Sequence, residues 1–155
     1  TGTVLWRHPL RYNGTSVAAS PVVAGDLVYA SRAYPGSLSA AQAGAVAVRL
    51  ASSGNAFSVN PAWSKVNQLM NHWATPVHYN GHLYGMFGHG NLQFKCVELT
   101  TGVEKWTANG FGYGAVSVVD GKILASSEDG WLVLVDPNPS SYMELARFRA
   151  LNARG

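Results

Sequence analysis

Three segments of one form divide this chain and constrain its fold more than any other feature. Each is an apolar run, a two-residue turn containing glycine, and a second apolar run. They are Ser20-Pro21-Val22-Val23-Ala24-Gly25-Asp26-Leu27-Val28-Tyr29, Thr75-Pro76-Val77-His78-Tyr79-Asn80-Gly81-His82-Leu83-Tyr84 and Ala115-Val116-Ser117-Val118-Val119-Asp120-Gly121-Lys122-Ile123-Leu124. Asn-Gly and Asp-Gly between apolar runs are strong short-range hairpin signals. A further strand follows each hairpin, at Ala45 to Leu50, Gln93 to Leu99 and Trp131 to Asp136, and an aromatic then closes each unit at Trp63, Trp106 and Phe148. Trp6 is expected to close a further unit, of which the chain holds only the end.

The spacing of these aromatics makes the repeat quantitative. Trp6 to Trp63 is 57 residues, Trp63 to Trp106 is 43 and Trp106 to Phe148 is 42. The long first interval reads as a unit of the same size with two insertions, one before Ala45 and one around Asn55 to Pro61. Four short strands per period of about 40–45 residues are the pattern of a propeller blade. The expected fold is therefore all-β: a β-propeller of four-stranded antiparallel blades. The chain is expected to cover roughly three and a half blades of a larger propeller, since closed rings hold about four to eight. The expected units are a blade end at 1–12, blades at 13–66, 67–109 and 110–150, and the start of another at 151–155. A self-contained β-sandwich is the alternative that strand counts alone leave open.

The run Val97-Glu98-Leu99-Thr100-Thr101-Gly102-Val103-Glu104-Lys105-Trp106 resembles the tryptophan-docking motif of the quinoprotein (PQQ-like) β-propellers. In that family an acidic or amide residue, Thr-Gly and a Trp recur once per blade. Thr1-Gly2-Thr3-Val4-Leu5-Trp6 is similar to the second half of the motif. Asn71-His72-Trp73-Ala74-Thr75-Pro76 and Glu144-Leu145-Ala146-Arg147-Phe148 bring the chain nearest to the bacterial PQQ-binding-like repeat proteins. Two blade ends depart from the pattern. Trp63 follows Asn60-Pro61-Ala62 with no Thr-Gly, and Phe148 stands where Trp is expected. The resemblance implies structural, blade-docking roles for Trp6, Trp63, Gly102, Trp106 and Phe148. The Trp period fits this, because an indole at a joint offers a large apolar surface and one N–H in need of an acceptor.

Charge excludes some functions. Charged residues make up 12% of the chain, with a net charge of +3, and the 11 basic residues are scattered singly. No basic stripe of the kind that tracks nucleic acid forms. Apolar runs are broken every few residues, so no segment reaches the length of a membrane span. The lone Cys96 sits on an apolar strand, where a buried structural thiol is expected. The glycine-rich runs Phe87-Gly88-His89-Gly90-Asn91 and Gly110-Phe111-Gly112-Tyr113-Gly114 lack the Gly-Lys-Ser/Thr ending of a phosphate loop and read as tight connections.

Candidate contact residues follow from propeller geometry. The loops joining strands two and three lie on the same face as the connections between blades, and binding residues concentrate on loops held by a rigid scaffold. That face is expected to carry Arg32 to Gln42, Asn67 to Trp73 and Phe87 to Asn91, presenting Arg32, Tyr34, Asn71, His72, His89 and Asn91. The same residues also fit tolerated insertions and structural histidines. His78 and His82 flank the Asn80-Gly81 turn and are expected at the surface. Neither a catalytic residue nor a metal ligand set is evident.

Two functional readings emerge. One is a non-catalytic scaffold that binds a protein partner or small ligand through its loop face. The other, implied by the resemblance alone, is part of a pyrroloquinoline-quinone-dependent dehydrogenase that oxidises alcohols or sugars and uses PQQ and calcium. Such a site needs acidic ligands, yet Asp26 and Asp120 fall at turns, Glu98 and Asp136 at the docking motif, and Glu128-Asp129-Gly130 at a hairpin. The resemblance also implies a periplasmic or extracellular location, and partners that are the remaining blades of the same protein or another subunit.

Overall fold

The computed structural model describes residues 2–10, 17–32 and 43–152, and these form twelve strands in three four-stranded antiparallel sheets. The first sheet holds β1 (Val22–Ala24), β2 (Leu27–Arg32), β3 (Gly44–Ser53) and β4 (Ala56–Val66). The second holds β5 (Val77–Tyr79), β6 (His82–Phe87), β7 (Gln93–Glu98) and β8 (Val103–Ala108), and the third β9 (Val116–Val119), β10 (Lys122–Ser126), β11 (Trp131–Val135) and β12 (Glu144–Arg149). Strand order follows chain order in every sheet, and β1, β5 and β9 are the strands that meet from sheet to sheet. Meanders joined through their first strands are propeller blades around an axis, not the two layers of a sandwich.

Local chemistry sets the first hairpin of each blade. Asn80 and Gly81 have φ of 46° and 78°, and Asp120 and Gly121 have 46° and 68°. Two consecutive positive φ values give the primed turn whose twist matches the strands it joins. The first blade uses Gly25-Asp26 with only Gly25 positive, at 60°. The second expected insertion is part of the blade itself. Residues 51–60 lengthen β3 and β4 into a ribbon closed by Gly54-Asn55, and nearly all of that ribbon is exposed.

Strand pairing defines one matching row across each blade. The rows are Val22–Tyr29–Ala47–Trp63, Val77–Tyr84–Cys96–Trp106 and Ser117–Leu124–Leu134–Ala146. Beside each row the pairing shifts by one residue, leaving Ala62, Lys105 and Leu145 unpaired on the fourth strand. Such a bulge bends the strand and adds local twist. The first row faces the second blade, in a core with Leu83, Phe87, Val97 and Leu99. The second faces the third blade, in a core with Ile123, Ala125, Val133 and Val135. The row of the third blade points outward, as does a smaller cluster of Val28, Val46 and Val48 on the opposite side of the first blade.

Candidate functional site

The blade joints are built from the rows just described. Trp63 Nε1 donates to the Leu99 carbonyl at 2.7 Å, across the joint between blades one and two. Its ring lies on Gly102, where a Cβ would stand 2.9 Å from the indole and where φ is 68°. Glycine is required there twice over, for the backbone conformation and for the space. Trp106 Nε1 donates to the Asn138 carbonyl at 2.8 Å, and Tyr84 Oη to the neighbouring Pro137 carbonyl at 2.9 Å. Each of these tryptophans thus reaches the turn between strands three and four of the following blade. The rows correct the expectation for Phe148. The position matching Trp63 and Trp106 is Ala146, while Phe148 lies two residues further along β12 and is 67% exposed. Trp6 differs too. Residues 2–10 form no strand, and Trp6 lies with Leu10, Val23, Val28, Val46, Val48 and Leu50 around an apolar cavity of about 410 Å³.

The expected contact residues separate into two groups. Asn71 is fully buried. Its side-chain oxygen accepts from Tyr29 Oη and from Ser31 Oγ at 3.1 Å, its Nδ2 donates to the Met86 carbonyl at 2.7 Å, and its backbone N–H donates to Ser31 Oγ at 3.1 Å. This network ties the connection between β4 and β5 to two blades, and Asn71 offers nothing to solvent. Burial pushes the Tyr29 hydroxyl well above its ordinary pKa. Arg32 is also buried, at 1% exposure, so it is not a surface contact either. Tyr34 lies outside the described residues.

His72, His89 and Asn91 remain at the surface, and the two histidines stand 6.1 Å apart between ring centroids. His72 stacks on Trp73 at 4.1 Å with 19° between planes, and Trp73 meets Tyr113 at 4.8 Å and 46°. Trp73 is 55% exposed and Tyr113 44%. Three connections converge here: residues 67–76 after β4, 88–92 after β6 and 109–115 after β8. Trp73, Ala74, Leu92, Tyr113, Gly114 and Ala115 line an open slot of about 200 Å³. The backbone beneath is pinned, with Gly88 N–H bonded to the Met70 carbonyl, Ser126 N–H to the Ala115 carbonyl and Glu128 N–H to the Phe111 carbonyl, each at 2.8 Å. Partial burial, then repulsion from His89, lowers the pKa of His72. At neutral pH its imidazole is therefore uncharged.

Sequence reasoning missed Trp73 and Tyr113 as members of this site. Trp73 falls out of the docking period and follows His72 directly, which was the available signal. Tyr113 is hidden in a glycine-rich connection. By contrast, His78 and His82 serve their own turn: His78 Nε2 accepts from Gly81 N–H at 3.2 Å, and His82 Nδ1 lies 2.9 Å from the Asn80 carbonyl.

Cys96 is buried between blades, and burial pushes its thiol up to about 11, so it is no nucleophile at neutral pH. The acids do not converge on a calcium or quinone site. Asp26 pairs with Arg49, Glu104 with Lys95, Asp136 with Lys122 and Glu144 with Arg147, while Glu98 accepts from Thr101 and Asp129 from Ser127. Among the described residues, no group of three or more His, Cys, Asp or Glu is placed to hold a metal ion. The acids of this chain thus supply no calcium ligand set among the described residues.

No family model matches the sequence, and no curated protein matches it. Among solved structures the chain is similar to a europium-containing methanol dehydrogenase, with a TM-score of 0.49 at 18% identity. That similarity covers 79% of this chain and 23% of the other, so the chain spans about a quarter of that enzyme's length.

Proposed function

We propose that this chain is a propeller scaffold whose loop face binds a small ligand or protein partner, without chemistry of its own. The observation that carries the reading is the cluster His72, Trp73, His89 and Tyr113. Four exposed or half-exposed rings from three connections meet there, over backbone fixed by the buried Asn71 network. Exposed aromatics on a rigid support are effective contacts, because little side-chain freedom remains to be lost on binding. The turns at the opposite end of the blades are engaged in their own hydrogen bonds, in the Asp26–Arg49 pair and in accepting the docking indoles.

Further blades, from the same protein or another subunit, belong on the outward faces. The row Ser117–Leu124–Leu134–Ala146 occupies the position that the next blade covers in the other two sheets, and repeat architectures bury such faces by stacking. The reading places the protein in the periplasm or outside the cell, as the sequence resemblance implies.

A panel of neutral sugars, small carboxylates and small organic cations, titrated against the protein while its amide and indole NMR signals are followed, tests the loop face. Saturable shifts at His72, Trp73, His89 and Tyr113, with His78 and His82 unmoved, are expected. Double substitution His72→Ala/His89→Ala should weaken that binding, and His78→Ala/His82→Ala should leave it intact. Equal retention in both variants contradicts the reading.

A further inference from the structure

The slot beside Trp73 has a shape and an electrostatic sign, and together they select a ligand class. Building on the loop-face reading, we propose that it binds an organic cation of the alkylated-ammonium type, held against the rings of Trp73 and Tyr113. The two rings stand 4.8 Å apart and tilted by 46°, forming two walls that meet at an angle. Buried Leu92 lines the slot with them, together with Ala74, Gly114 and Ala115. At about 200 Å³ the space suits a single compact head group, being smaller than the roughly 300–1,000 Å³ of pockets for drug-sized ligands.

Aromatic faces carry negative quadrupole potential, and tryptophan is the strongest platform for a cation. The surrounding charge has the matching sign. Glu128 sits behind one wall, accepting from the Tyr113 backbone N–H at 3.3 Å, with its side chain against Gly112. Among the described residues lining the slot there is no lysine or arginine. His72, flat on Trp73, stays uncharged at neutral pH because partial burial disfavours its protonated form. An anionic ligand would meet the ring faces and Glu128 with the wrong charge. The half-buried Trp131 makes the contrast clear. Trp131 already has Arg147 and Arg149 over its ring, at 5.4 Å and 5.2 Å, and is closed to an added cation.

Both walls are held in place. His72 and the Asn71 network fix Trp73, and Gly114 lies so close to the Ser126 carbonyl that no Cβ fits there, which keeps the Tyr113 connection against β10.

Tetramethylammonium chloride is the direct probe, with tert-butanol as its neutral counterpart of similar shape and sodium chloride as the ionic-strength control. Titration of the whole chain should move the Trp73 indole and Tyr113 signals saturably and leave Trp131 unchanged. Binding of tert-butanol should be at least tenfold weaker. Trp73→Ala, at an exposed position, should abolish the response while preserving the dispersed amide spectrum, and Glu128→Gln should weaken it several-fold. Equal binding of tert-butanol, or no saturable shift at Trp73, overturns the cation assignment. If a sugar or carboxylate from the panel shifts the same residues, the cation proposal falls and the loop-face reading stands. If no compound shifts them, both fall.

Discussion

The two blade joints use one device and finish it in different ways. In both, a tyrosine on the second strand and a tryptophan on the fourth stand 6.0 Å apart, and the indole N–H reaches a carbonyl in the following blade. Between blades two and three the rest is aromatic packing. Phe94 and Tyr142 pack on Trp106, on Phe111 and on each other, at 4.9–6.3 Å between ring centroids. Between blades one and two the space is shared by a bare glycine under Trp63 and the buried polar group of Tyr29, Ser31 and Asn71. The repeated part fixes where the blades meet. The variable part decides whether a joint is held mainly by apolar area or by satisfied hydrogen bonds, and each positions a loop of the candidate site, Asn71 the 67–76 connection and Phe111 the 109–115 connection.

The largest test of that contrast is Trp106→Ala. The indole is 9% exposed in a full aromatic cluster, so truncation should cost about 3–5 kcal/mol. Urea unfolding measures it, and a loss near zero would remove the docking role. Next is Asn71→Ala, which removes the acceptor shared by the buried Tyr29 and Ser31 hydroxyls and the Nδ2 donor to the Met86 carbonyl, leaving Tyr29 only the Leu69 carbonyl and Ser31 only the backbone N–H of residue 71. A cost of about 2–3 kcal/mol is expected, together with broadening of the Trp73 signal, since the connection loses its anchor. Trp106→Ala should not broaden it.

Gly102→Ala is smaller, about 1–2 kcal/mol, from a positive φ and a Cβ 2.9 Å from the Trp63 ring. Pairing it with Trp63→Ala in a double-mutant cycle sharpens the comparison: the glycine substitution should cost less once the indole is gone. Additive costs would mean that the contact has no part in the joint.

Acid supplies the smallest effect. The folded-state pKa values of His72 and His78 are lowered from 6.5, each chiefly by burial and then by a neighbouring histidine. A depressed pKa means that the folded state favours the neutral form. Their contribution is therefore present above pH 6.5 and lost as the pH falls through the lower folded values. Replacing both residues with glutamine should flatten the stability profile in that interval, read from urea midpoints at a series of pH values.

Much of the fold was legible because its signals are local. Asn80-Gly81 and Asp120-Gly121 dictate their turns from two residues each, and Trp63 and Trp106 stand one blade length of 43 residues apart. Phe148 misled for a physical reason. A bulge inserts one residue beside each row, and the matching position in the third blade holds Ala146, which leaves no aromatic to count from. Asn71 misled because a polar residue in a connection suggests solvent, whereas its partners at Tyr29 and Ser31 lie 42 and 40 residues away. Trp73 and Tyr113 come from separate connections, and no spacing rule joins them. The run around Asn55 to Pro61 reads as an insertion because a lengthened hairpin adds residues to the period, whereas the structure pairs them as an extension of β3 and β4.

The central claim is that Trp63 and Trp106, and not the other tryptophans, lock each blade to the next through their indole N–H groups. Hydrogen exchange of the five indole protons, followed by NMR on the intact chain, tests it most directly. The indole protons of Trp63 and Trp106, bonded to the Leu99 and Asn138 carbonyls, should exchange at least tenfold more slowly than those of Trp6 and the exposed Trp73. Similar exchange rates for all four would contradict the account.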